Sequence, residues 1–102
     1  DVFQWKPVKK YSACISISTV EHTSNPLLAV QRILTFAPKV LITFPIGQNS
    51  EVNRIMDKLK NIYFMKRINK ENELNINTEE EARKMKYNKP FKWANAIAIL
   101  IK

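Results

Sequence analysis

The chain reads as a single α/β domain, on three observations. Apolar, strand-like runs alternate with segments whose apolar residues recur at helical spacing, in the order β-α-β-α-β-(α)-β. Each helical segment opens on a residue able to cap it, while Pro38, Pro45 and Gly47 fall at boundaries. At 102 residues the chain makes one small domain, residues 1–102, and not two. Such alternation predicts a parallel sheet covered by helices on both faces.

The elements follow in order. Tyr11 to Ser18, "YSACISIS", is a short run of apolar and small residues, as in a strand buried on both faces. In "TSNPLLAVQRILTF", Ser24 or Asn25 can cap a helix and Pro26 suits its first turn, where the missing N–H costs nothing. Leu27, Val30, Leu34 and Ala37 form its apolar stripe, and Pro38 ends it. Val40 to Phe44 is the second strand, closed by Pro45 and Gly47. "NSEVNRIMDKLKN" is the second helix: Asn49 or Ser50 caps it, and Val52, Ile55, Met56 and Leu59 form its stripe. "IYFMKRI" is the third strand. Asn69 to Asn77 is polar and reads as a surface excursion. "TEEEARKMKY" is a short helix with capping-box spacing from Thr78 to Glu81, and "WANAIAILIK" is the fourth strand.

Composition narrows the function. No apolar stretch reaches the roughly 18 residues of a membrane-spanning helix. The single cysteine, Cys14, cannot form an internal disulfide, which points to the reducing cytoplasm. One His and one Cys, well separated, give no metal-ligand cluster. With Gly47 as its one glycine, the chain holds no phosphate-cradling glycine loop. Seventeen Lys and Arg against nine Asp and Glu give a net charge of +8, which favours acidic partners. The basic residues have little aromatic interleaving and no nucleic-acid motif, so solvated surface is the preferred reading over a nucleic-acid footprint.

Several phrases, in this order, resemble one family. "KKYSACISISTVEHTSNPLLAVQRIL" is similar to the fourth strand and following helix of class I S-adenosylmethionine-dependent methyltransferases, where a strand leads through a small residue to a Glu-His ending. "APKVLITFPIG" resembles the fifth strand, and "IYFMKRI" and "KPFKWANAIAILIK" the sixth and seventh, which pair antiparallel at an edge in that family. Ser12 stands where the family commonly has an acidic residue, and its Pro-Gly-Gly turn is reduced to Pro38-Lys39. The resemblance implies a Rossmann-like three-layer sandwich, of which this chain is the C-terminal half: equivalents of strands four to seven, the last antiparallel. The glycine-loop half that holds the cofactor's amino acid and ribose is expected to be absent, leaving the isolated chain inactive.

The same resemblance assigns sites. S-adenosylmethionine would be held by Asp1 and Val2 at its adenine and by Ser16, Ile17 and Ser18 at its methionine end. Glu21 and His22 would stand near the transferred methyl or the acceptor. A histidine beside a carboxylate can act as a general base near neutral pH, although methyl transfer often needs only positioning. The competing reading is that Glu21 and His22 merely start the helix. The acceptor is expected to be a small molecule, lipid or sugar, because "TVEH" replaces the Asn/Asp-Pro-Pro-aromatic signature of nucleic-acid amino methyltransferases. Two alternatives remain open at this point. One is a non-catalytic remnant that associates through an exposed sheet edge, and the other a basic nucleic-acid-binding domain.

Overall fold

Short polar side chains start the helices where the sequence places them. In the computed structural model, which describes residues 2–71 and 73–102, the Asn25 carboxamide oxygen accepts a hydrogen bond from the Leu28 amide at 3.2 Å. Thr78 accepts from the Glu81 amide at 3.2 Å, and Asn49 from the Glu51 amide at 3.0 Å. Each satisfies an amide that the first helical turn leaves without a partner. The elements are β1 (Ala13–Ile17), α1 (Pro26–Ile33), β2 (Lys39–Pro45), α2 (Asn53–Lys58), β3 (Ile62–Arg67), β4 (Leu74–Asn77), α3 (Glu79–Lys84) and β5 (Ala96–Ile101). Two 3-10 turns join them, Val20–His22 after β1 and Ser50–Val52 before α2.

The five strands form one sheet in the order β1-β2-β5-β3-β4. Among the described residues β1–β2 is the one parallel pair of neighbours; β2–β5, β5–β3 and β3–β4 are antiparallel. The expected parallel sheet is therefore corrected to a mostly antiparallel one. Alternation of strands and helices does not fix direction: α1 carries the chain back for a parallel return, but β3 turns straight into β4 as a hairpin. The last two strands of the expected order, β3 and β5, do pair antiparallel, yet β5 lies in the interior between β2 and β3 rather than at an edge. The polar stretch Asn69 to Asn77, expected as an excursion, contains β4, which forms that edge.

One face of the sheet carries the core. Val40, Ile42 and Phe44 of β2, Phe64 of β3 and Ala96, Ala98 and Leu100 of β5 are buried in one cluster with Ala29, Val30 and Ile33 of α1, Ile55 and Met56 of α2 and Ala82 of α3. In α1 the buried face is Pro26, Ala29, Val30 and Ile33, so the expected Leu27–Val30–Leu34 stripe is turned by about one residue. Register explains one detail of this packing. Ala98 is paired with Phe44 on one side and Phe64 on the other, so a small residue separates two large ones.

The opposite face is apolar and bare. Ile15, Leu41 and Ile101 form one cross-strand row, and Ile17, Thr43, Ile99 and Tyr63 the next. Ile97, Met65 and Ile76 form a third. Ile76 is 86% exposed, Ile15 66% and Ile17 64%. The expected helices on both faces are thus found on one only, because α1, α2 and α3 all bury their apolar residues in the same cluster.

The turn after β2 packs closely against the loop after α3. Gly47 has φ +93°, and a Cβ there would stand 2.9 Å from the Met85 carbonyl oxygen and 2.9 Å from the Tyr87 nitrogen. Both neighbours are backbone and cannot swing aside. Gly47→Ala is expected to destabilise the chain by about 2 kcal/mol or more, measured as a lower urea midpoint. An unchanged midpoint would show that the Met85–Tyr87 segment gives way freely.

Candidate active-site cleft

The cleft grows from the carboxyl ends of the two parallel strands, the place where open α/β sheets bind ligands. At the end of β1, Ser18 adopts φ +49°, a left-handed conformation uncommon for a residue with a side chain. Its amide donates to the Thr43 carbonyl at 2.9 Å, carrying the β1–β2 ladder one step further. The chain then turns through Val20–His22. Val20 is fully buried and anchors this turn, and the Thr23 hydroxyl closes it by donating to the Val20 carbonyl at 2.8 Å. Asn49 does double duty: besides capping Ser50–Val52, its side-chain N–H donates to the Glu21 carbonyl at 2.7 Å. One side chain thereby holds together the loops that follow β1 and β2.

Ser18, Glu21 and His22 line a cleft of about 390 Å³. Pro45 and Gln48 close it from the β2 side, and Arg67, Tyr87, Trp93 and Ala94 form the far wall. Glu21 is only 3% exposed, and neither carboxyl oxygen has a hydrogen-bond partner. A buried carboxylate left in this way is costly unless something neutralises it. Burial accordingly holds the Glu21 carboxyl above the ordinary glutamate range, offset in part by the neighbouring His22 imidazole and by the residue's own backbone amide. His22 itself is exposed. An exposed imidazole beside a buried carboxyl can take a proton from a bound molecule, while the protonated carboxyl can donate a hydrogen bond to one.

The other expected site residues are divided between two places. Val2, Ser16 and Ile17 share a groove of about 440 Å³ along the outer edge of β1, with Trp5, Cys14 and Phe36 among its walls. Ser18 faces the cleft instead. Asp1 lies outside the described residues. Among the described residues no group of three His, Cys, Asp or Glu stands close enough to hold a metal ion, and no helix is long and apolar enough to cross a membrane.

The far wall is the part that sequence reasoning missed. Its centre is Asn95, fully buried and fully bonded. Its side-chain N–H group donates to the carbonyls of Lys86, Phe91 and Trp93 at 3.2, 3.0 and 3.1 Å, and its side-chain oxygen accepts from the Phe91 amide at 3.2 Å. Its carbonyl accepts from the Arg67 amide at 2.8 Å. The loop 86–95 is therefore shaped from within, and it presents Tyr87 and Trp93 to the cleft. The signal in the sequence was the polar Asn95 set just ahead of the apolar run Ala96–Ile101, where an unpaired amide would be penalised.

The sign of the Glu21 perturbation gives a test. A carboxyl whose folded pKa is raised binds its proton more tightly folded than unfolded. Stability is then highest below the unfolded value and falls as pH rises through the window up to the folded one. Glu21→Gln is expected to raise the melting midpoint at neutral pH, with the gain shrinking as pH falls to the ordinary glutamate range. A gain equal at all pH values would show that Glu21 does not titrate with folding. Scanned against protein-family models, curated proteins and solved structures, the chain matches none.

Proposed function

We propose that this chain is the C-terminal half of a class I S-adenosylmethionine-dependent methyltransferase domain, acting on a small-molecule, lipid or sugar acceptor. The observation that carries the reading is the meeting of Ser18, Glu21 and His22 in one cleft at the carboxyl ends of β1 and β2. The antiparallel last strand agrees with it, since the family resemblance implies one. The bare sheet face supports the half-domain aspect. A second helical layer on that face would complete a Rossmann-like three-layer sandwich.

The residues fit one side of the cofactor. The β1-edge groove offers apolar walls from Val2 and Ile17 and a hydroxyl from Ser16. The other side, a glycine loop and a ribose-binding carboxylate, would come from the remainder of the domain. When bound, S-adenosylmethionine supplies a methyl group on a sulfonium for in-line displacement. This chain's part is to hold the acceptor in the cleft and manage its proton. His22 takes the proton that the acceptor's nucleophile sheds on gaining the methyl group, and the adjacent Glu21 carboxyl, whose ionised form a charged His22 favours, counters the positive charge gained. Oriented contact supplies most of the acceleration in such a reaction, and the base adds to it.

The test is labelled-methyl incorporation by the full-length protein, with acceptor pools drawn from small molecules, lipids and sugars. His22→Ala is expected to lower turnover by about 100-fold while leaving cofactor affinity unchanged. Absence of cofactor binding by the full-length protein overturns the reading.

The bare face favours a second reading, a non-catalytic module that associates through that face and the open edge of β1. Among the described residues nothing pairs with this edge, and exposed apolar faces and unpaired edges invite association. Under this reading the full-length protein sediments as a concentration-dependent oligomer, and the double variant Ile17→Lys, Ile99→Lys reduces it to monomer. Under the methyltransferase reading the full-length protein is monodisperse and its Ile17 amide is protected from hydrogen exchange.

A further inference from the structure

A second recess lies against the far wall of the cleft, about 360 Å³ in volume. Its lining is of two kinds only. Arg67, Lys70 and Lys92 are cationic, and Pro90, Phe91 and Trp93 are flat and apolar. Among the described residues no acidic one lines it. Arg67 and Trp93 line both this recess and the cleft that holds Glu21 and His22, so the two are neighbours.

The recess belongs to a fixed piece of backbone. Asn95 bonds Phe91 and Trp93 from beneath. From the other end of the loop, the Asn88 amide donates to the Trp93 carbonyl at 2.8 Å, and the Asn88 side chain accepts from the Trp93 amide. Asn88 and Trp93 both hold left-handed φ values, +66° and +69°, which the surrounding bonds over-determine. Trp93 is nonetheless 58% exposed. A large aromatic held in a strained conformation with its ring in solvent gains nothing for the core. The Lys92 ammonium lies 5.1 Å from the Trp93 ring centroid, so cation and ring form one surface.

We propose that this recess binds a phosphate ester carried on a ring, as in a sugar phosphate or nucleotide, and that this is the anionic portion of the acceptor. The chemistry follows from the lining. Three cations around a small cavity suit a dianion, and the Arg fork matches phosphate oxygens. The exposed Trp93 face and Pro90 offer a stacking surface for the ring. Because Arg67 and Trp93 are shared with the cleft, a molecule that extends past them brings its far end toward Glu21 and His22. A pocket of this volume takes a small molecule. The identification of the ligand as an acceptor rests on the methyltransferase reading; the phosphate site does not.

The experiment is a calorimetric titration of the purified full-length protein, read as the heat of binding. The probes are glucose 1-phosphate, uridine monophosphate, glucose, inorganic phosphate and a single-stranded oligonucleotide. A saturable change with both phosphate esters is expected, weaker with inorganic phosphate and absent with glucose. Affinity should fall by about tenfold or more in Lys70→Glu, Lys92→Glu, both exposed positions whose change leaves the fold intact. The control Lys58→Glu, Lys60→Glu, with the same net charge, should bind as before. Equal loss in the control would show attraction to overall charge and overturn the proposal, as would no saturable change with either ester. Tighter binding of the oligonucleotide than of either ester would overturn it in favour of a nucleic-acid surface. Methyl transfer without phosphate-ester binding removes this proposal alone, and binding without methyl transfer removes only the acceptor role.

Discussion

The last strand is the constraint on which the rest of the structure depends. β5 runs between β2 and β3 and is bonded to both. It can do so only because its core-facing residues near the centre are alanines. Phe44 and Phe64 reach the same row from either side, and Ala98 between them leaves room for both rings. A larger residue there would force off-rotamer side chains or separate the strands. Without β5, β3 and β4 would be a lone hairpin, marginal in water. The same strand begins immediately after Asn95, so the residue that shapes the 86–95 loop is held by the sheet's central member. Packing in the core and the form of the cleft wall share one short stretch of chain.

The local features were legible because they are local. Asn25, Asn49 and Thr78 cap where their spacing to the following apolar residues says they should, since capping involves only neighbours within a turn. The apolar runs located four strands. What escaped was everything decided between distant segments. β4 hides in a polar stretch because an edge strand with one bonded side needs few apolar residues, and it has two, Leu74 and Ile76, on one face. Strand direction escaped because it depends on whether a connection crosses over or turns back.

The candidate site divides along the same line. Glu21 and His22 drew notice as an adjacent pair of titratable residues after a strand, and the fold puts both at a cleft. Arg67 ends β3 while Tyr87 and Trp93 belong to the 86–95 loop, and only the insertion of β5 brings these two segments opposite that pair. Asn49 was recognised as a cap, but not as the tie between two loops, because its second hydrogen bond spans 28 residues. The Glu21–His22 turn makes one wall of the cleft, and the 86–95 loop makes much of the other.

The bare face acquires a further meaning when set against the net charge. The three apolar rows hold no ionised group, while the chain as a whole carries +8. Two copies approaching face to face therefore repel over a distance set by the surrounding electrolyte, and attract only at contact. At low ionic strength the long-range term keeps the copies dispersed. Added electrolyte shortens that range to about 3 Å at 1 M without weakening the apolar contact. The molecule thus carries its own colloidal barrier, and the ionic strength of the medium sets how high that barrier stands.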